Sequence, residues 1–211
     1  MSAVEVAAMS AAAVGAAICV VVLTTQVRKV LSLPYKMEVA PPKGSAGGGV
    51  VYAFSMGMAP WTKESTRRHW PGYVRGIIFH TGVFVALATL FVGPWTDNLP
   101  AILRAAAAVV TLAGGLAGVG GLVARLTEHN LRRLSTRDDY FSVALVSLFV
   151  LSATLMMAAS ETGPIFYSLA AVTLAVLPFS KVRHCVYFFF SRVIFGSFFG
   201  HRGVIEDVRL R

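Results

Sequence analysis

Residues 73–95 read YVRGIIFHTGVFVALATLFVGPW. Past Arg75 the stretch carries no Asp, Glu, Lys or Arg. At about 1.5 Å of rise per residue, a helix of this length covers the roughly 30 Å of hydrocarbon in a bilayer. The run therefore reads as a membrane-spanning helix with one anomaly, His80. An imidazole placed in hydrocarbon needs a partner, because polar groups there have no water to bond.

Four more runs of similar length flank it, at about 4–25, 100–125, 139–160 and 163–185. The breaks have suitable chemistry: Pro94 and Pro100 enclose WTDNL, and SETGP at 160–164 makes a tight polar turn. Between the first two runs, 26–72 contains PP and GSAGGG and is expected to be an irregular or partly disordered aqueous loop. The composition agrees: 56% of the residues are hydrophobic and 14% charged, against about a quarter charged in soluble domains. The fold class is thus an all-α integral membrane bundle of five transmembrane helices, forming a single domain, 1–211. The net charge of +9 does not point to nucleic acid, because the charges collect in loops between apolar runs. Cys19 and Cys185 lack CxxC spacing, so no disulfide framework, zinc site or iron–sulfur site is expected. Both read as buried small apolar side chains.

Orientation follows from the basic residues. All but Arg104 of the 19 Lys and Arg fall in 26–75, in 124–138 or after 180. The opposite ends show Glu5, Asp97 and Glu161 instead. By the positive-inside rule the N-terminus is outside and the C-terminus cytoplasmic, as in a multi-pass inner-membrane protein. The leader MSAVEVA has no positive n-region, so the first run reads as a reverse-oriented anchor rather than a cleaved signal. In the third run Gly114 and Gly118 have GxxxG spacing, which favours close helix packing and equally leaves room for a flat cofactor.

Of the five histidines, His69, His129 and His201 fall at polar boundaries or in basic loops. His80 stands about seven residues into the second run, or roughly 10 Å deep. The fifth run goes back inward as a helix from Pro164, and His184 lies about 30 Å along it, near the same cytoplasmic boundary. Two imidazoles in one shallow layer suit the axial positions of a haem iron, with small residues such as Gly76 and Gly82 making room. A polar contact across a helix pair and a proton or ion path explain the same spacing, and the residues alone leave all three open.

Two stretches carry a resemblance. PWTKESTRRHWPGYVRGIIFHTGVF at 60–84 and LPFSKVRHCVYFFFSR at 177–192 resemble the membrane cytochrome b family of the respiratory nitrate reductase gamma subunit. The likeness is nearest to the membrane subunits of heterodisulfide-reductase-like and sulfite-reduction-associated complexes. It implies a haem b subunit that passes electrons between membrane quinone, menaquinone or a similar one, and a cytoplasmic iron–sulfur partner that it anchors. That is an electron-transfer subunit rather than a complete enzyme. Carried over, the inner ligand pair falls on His80 and His184. The outer pair would fall near Leu90 and Phe166, neither a histidine, so one haem is expected. A second haem between His69 and His201 would lie among arginines in water or in a partner. Arg67, Arg68, Arg75, Lys181 and Arg183 are candidate propionate contacts, and a quinone pocket is expected beside the inner haem near helices 2 and 3. The aromatic tail, 186–211, is expected to lie at the interface or in the cytoplasm, anchoring in lipid or binding the partner subunit. The alternative is a cofactor-free transmembrane scaffold or a proton-conducting subunit.

Overall fold

The computed structural model describes residues 2–34, 41–62 and 64–205. Lys36, Lys63, Arg209 and Arg211, counted above in the charge pattern, lie outside the described residues, as do 35–40 of the expected loop and the end of the tail. Among the described residues all regular structure is helical. Five helical segments are long and apolar enough to cross a membrane: Ala3–Leu31, Trp70–Asn98, Ala101–Thr127, Arg137–Ala158 and Ser160–Phe179. The chain thus has the helices of a multi-pass membrane protein. It divides into two compact units, Met1–Thr24 with Pro71–Val182 and Thr25–Trp70 with Arg183–Arg211.

The first unit holds most of α1 (Ala3–Leu31), with α4 (Trp70–Val92), α5 (Ala101–Thr127), α7 (Arg137–Ala158) and α8 (Gly163–Val176). Short α2 (Ala46–Phe54), α3 (Glu64–Arg68) and α6 (His129–Leu134) lie in the connections, and α9 is His184–His201. Side-chain bonds fix how the long helices alternate. At one end the Tyr140 hydroxyl of α7 donates to the Arg125 carbonyl of α5 (3.1 Å). There too Lys181, just past α8, pairs with Asp139 in the first turn of α7 (2.6 Å). At the other end Arg104, near the start of α5, donates to the Met157 and Ala158 carbonyls that finish α7 (3.2 and 3.3 Å). Glu5 of α1 there lies beside Gly163, the first residue of α8. The helices therefore run alternately up and down, with Arg75, Arg125 and Lys181 at one end and Glu5, Asp97 and Glu161 at the other.

Arg104, the exception to the charge pattern, is thus a cation placed on the open carbonyls of a helix C-terminus, where the macrodipole favours it. Arg104→Met is expected to lower stability by about 0.3–1 kcal/mol, read as an earlier midpoint in denaturant titration.

Packing inside this unit is done by small residues. A Cβ built on Gly82 of α4 would stand 2.7 Å from the Cα of Gly114 of α5. One on Gly115 would overlap Leu151, and one on Gly118 would overlap Ser147 and Phe79. Thr154 of α7 donates to Thr111 of α5 across the interface (2.9 Å). Gly15 of α1 meets the Ala171 backbone of α8. Large apolar chains point outward instead, among them Phe84, Phe91 and Ile102 at 69, 77 and 76% exposure. Close approach at small residues, with large apolar side chains on the outside, is how helices pack when lipid surrounds them. Gly82 therefore serves the α4–α5 crossing and makes no room for a cofactor, and Gly114 and Gly118 take the packing reading.

Three expectations are corrected. The fifth span is not a helix through 185: α8 ends at Val176, Pro178 lies in a 3-10 turn (Leu177–Phe179), and Ser180 is extended. Proline has no N–H for a helix to use and its ring crowds the preceding turn, so His184 opens a new helix, α9. The depth derived for His184 from one continuous helix does not hold. Cys185 shares this fate and is exposed, whereas Cys19 is buried.

The third correction concerns GSAGGG. In the second unit it enters α2, with the Ser45 hydroxyl accepting from Gly48 N–H (3.0 Å) as an N-cap. α2 lies on α9 through glycines: a Cβ on Gly49 would stand 2.6 Å from the Gly200 Cα, and one on Gly196 2.6 Å from the Val50 Cα. The His201 carbonyl accepts from Lys43 and Gly44 N–H (2.9 and 3.1 Å). Of the glycines that read as a flexible linker, Gly44 and Gly49 are thus contact residues, while Gly47 and Gly48 face only Ser45. Gly49→Leu is expected to detach α2, seen as faster hydrogen exchange along Ala46–Phe54 with the exchange of α5 and α7 unchanged.

Candidate functional site

α4 sorts its residues by face. Gly82, Ala86 and Thr89 are buried in the bundle, while Ile77, His80 and Phe84 are exposed on the other side. The His80 Nδ1 lies 2.7 Å from the Gly76 carbonyl oxygen, one turn earlier. A carbonyl only accepts, so Nδ1 carries a proton and donates to Gly76. Imidazoles that ligate a metal through Nε2 are commonly oriented by such an Nδ1–H donation. Space is available beside it: among the described residues no neighbouring heavy atom lies within 4 Å of a Cβ built on Gly72 or Gly76. An unpacked glycine in a helix costs about 1 kcal/mol relative to alanine, and packing in this unit gives no return for it.

His184 is the first residue of α9 and is exposed. It belongs to the second unit, and His80 to the first. His69, exposed, and His201, half-buried, also lie in the second unit, and exposed His129 begins α6.

The five basic candidates are dispersed. Arg75 stands about 140° around α4 from His80 and runs along Gly120 and Gly121 of α5. Lys181 is held by the Asp139 carboxylate, and its backbone N–H donates to Asp138 (2.9 Å). Arg68 pairs with Glu64 one turn back (2.5 Å), and both are well exposed. Arg67 is exposed in α3, and Arg183 is exposed just before α9.

Leu90 and Phe166, where relatives of the resembled family would carry outer ligands, both belong to the hydrophobic core. Phe166 is fully buried and stacks on Phe149, ring centroids 5.6 Å apart. Leu90 packs against the same cluster.

Two features escaped the sequence reading. Glu5, Asp97 and Glu161 converge on one cleft of 320 Å³ at the acidic end of the first unit, with Gly93 and Pro94 in its wall. Their common side was visible in the charge pattern, but their convergence needed the helix order. Inside α8, the Tyr167 hydroxyl and the Thr173 hydroxyl are buried with no hydrogen-bond partner among the described residues. Nothing in an apolar run distinguishes these two from the hydroxyls that bond back to their own helix, as Thr89 and Ser147 do.

Comparison with family models, with curated proteins and with solved structures finds no match to this chain.

Proposed function

We propose that the chain is a haem b membrane subunit that passes electrons between a membrane quinone and a cytoplasmic iron–sulfur partner. His80 and His184 would be the axial ligands. The observation that carries this reading is the setting of His80 on α4: a ring oriented by the Gly76 carbonyl, on a helix whose Gly72 and Gly76 have open space where a side chain would stand. A histidine turned out from its bundle among Ile77 and Phe84 suits a flat apolar macrocycle. Ionisable side chains in spans usually face protein, a cofactor or water rather than lipid.

The residues fit the group in three respects. Neutral imidazole is a haem ligand, and the bound cofactor supplies one-electron chemistry. Gly76 sets the plane of the His80 ring through its carbonyl, and its missing side chain keeps the approach open. The Phe149–Phe166 core at the other end supports one haem rather than two. For propionates, exposed Arg67 and Arg183 suit the role better than Lys181 or Arg68, which already hold carboxylates. The inner membrane, menaquinone as the quinone, the quinone pocket near α4 and α5, and the heterodisulfide-reductase-type partner rest on the resemblance alone.

A cofactor-free scaffold or proton-conducting subunit is the second reading. The unpartnered Tyr167 and Thr173 hydroxyls favour it, since buried polar groups without partners commonly mark internal water. Reduction of the purified protein with a quinol analogue separates the two. A sharp haem b α band should appear if the first reading is right, and a featureless visible spectrum would leave the second.

A further inference from the structure

The second unit presents apolar surface that none of the five spans accounts for. On α9, Phe189, Ile194 and Phe195 are 59, 60 and 44% exposed, and Phe198 is 40% exposed. On α2, Val51 is 64% exposed. The glycine face of α9 is already taken by α2, with Phe189 stacked on Phe54 beside it (ring centroids 6.1 Å apart), so Ile194, Phe195 and Phe198 point away from that contact while Phe189 borders it. They also occupy opposite sides of α9: Ile194 and Phe198 lie away from Gly196, while Phe189 lies near it, by 100° steps around the helix. α9 thus has no wholly polar face to give to water. Contiguous apolar surface of this kind marks a partner or a membrane.

Its basic residues say which. The Arg192 guanidinium carbon lies 5.2 Å from the Phe188 ring centroid, and that of Arg202 3.9 Å from the Phe198 ring. Arg183 precedes the helix. A guanidinium stacked by its face on an aromatic ring can sit beside apolar surface while its planar N–H edge matches phosphate geometry. Aromatic rings and arginines mixed in this way belong at the level of lipid headgroups. In sequence, seven residues separate the end of α8, in the last span, from the first residue of α9. A glycine-on-glycine helix contact, as between α2 and α9, is likewise the packing that works inside lipid.

We infer that the α2–α9 pair is embedded in one leaflet and binds anionic phospholipid. Its aromatic and aliphatic side chains lie among acyl chains, and Arg183, Arg192 and Arg202 engage the phosphates. This does not depend on haem, and it extends the tail's expected interfacial role to a folded pair that includes the former loop.

The test uses the full chain in nanodiscs, with Trp61, Trp70 and Trp95 changed to Phe and one reporter, Phe195→Trp. Lipids brominated on the acyl chain should remove most of its emission, while a Leu134→Trp reporter in α6 should be spared. Brominated phosphatidylglycerol, as a minor fraction among phosphatidylcholine, should quench Phe195→Trp more than the same fraction of brominated phosphatidylcholine. Arg192→Gln should reduce that difference and leave the depth unchanged. Quenching by aqueous acrylamide without quenching by bromolipid would overturn the inference and point to a protein partner. Equal quenching by the two bromolipids would overturn its anionic preference. If the reporter chain fails to fold, the unaltered chain can be labelled with a bilayer-dissolved aryl-diazirine carbene. Labels on residues 184–204 are expected, and their absence alongside labelled spans would refute the insertion.

Discussion

His80→Ala is expected to abolish the reduced-minus-oxidised α band of the purified protein. The imidazole would be one of two axial nitrogens, and no neighbouring residue of α4 offers another: Phe79, Thr81 and Phe84 lack a ligating nitrogen. His184→Ala should have the same effect, and His69→Ala should leave the band in place. A sharper form of the experiment uses Gly76. A Cβ there meets no neighbouring heavy atom within 4 Å among the described residues, so Gly76→Leu should leave the bundle as stable as before. Helix propensity even favours it by about 0.5–1 kcal/mol. Yet it fills the space beside His80 and should lower the haem content sharply. A destabilised Gly76→Leu chain would mean that the space has another use. A stable one with normal haem would mean that the macrocycle lies elsewhere.

The second large effect is expected at the α4–α5 crossing. Gly82 and Gly114 bring two backbones together so closely that a Cβ on either would stand 2.7 or 2.6 Å from the other's Cα. Backbone cannot turn aside as a side chain can, so the helices must separate. Gly114→Val is expected to cost about 3 kcal/mol, the upper part of the overpacking range, and more if the nearby hydrogen bond from Thr154 of α7 to Thr111 of α5 is strained with it. The measurement is the midpoint of unfolding in denaturing detergent. Comparison with Gly76→Leu makes it specific: Gly114→Val should lower stability through packing, whereas Gly76→Leu should lower haem loading and leave stability unchanged.

The five spans were legible because a bilayer imposes length and hydropathy on each one separately, and the charge pattern foretold which ends gather together. The α8 terminus was not, although Pro178 was in plain view. An apolar run that continues past a proline looks the same whether the helix kinks or stops, and only the extended Ser180 decides. GSAGGG misled for a related reason. Glycine lowers helix propensity, so its use here depends wholly on a tertiary contact with Gly196 and Gly200, some 150 residues away by the numbering of Gly49 and Gly200. At the candidate site, the sequence marked His80 as anomalous but not its side of α4 or its bond to Gly76. Nor did it separate Gly76, which is open, from Gly82, which is packed.

The most direct measurement is the pyridine haemochrome of the purified chain, set against its protein concentration by amino-acid analysis. One b-type haem per chain is the expected ratio. A ratio near zero in protein that is folded and membrane-extracted, or a ratio of two, would contradict a single haem held by His80 and His184.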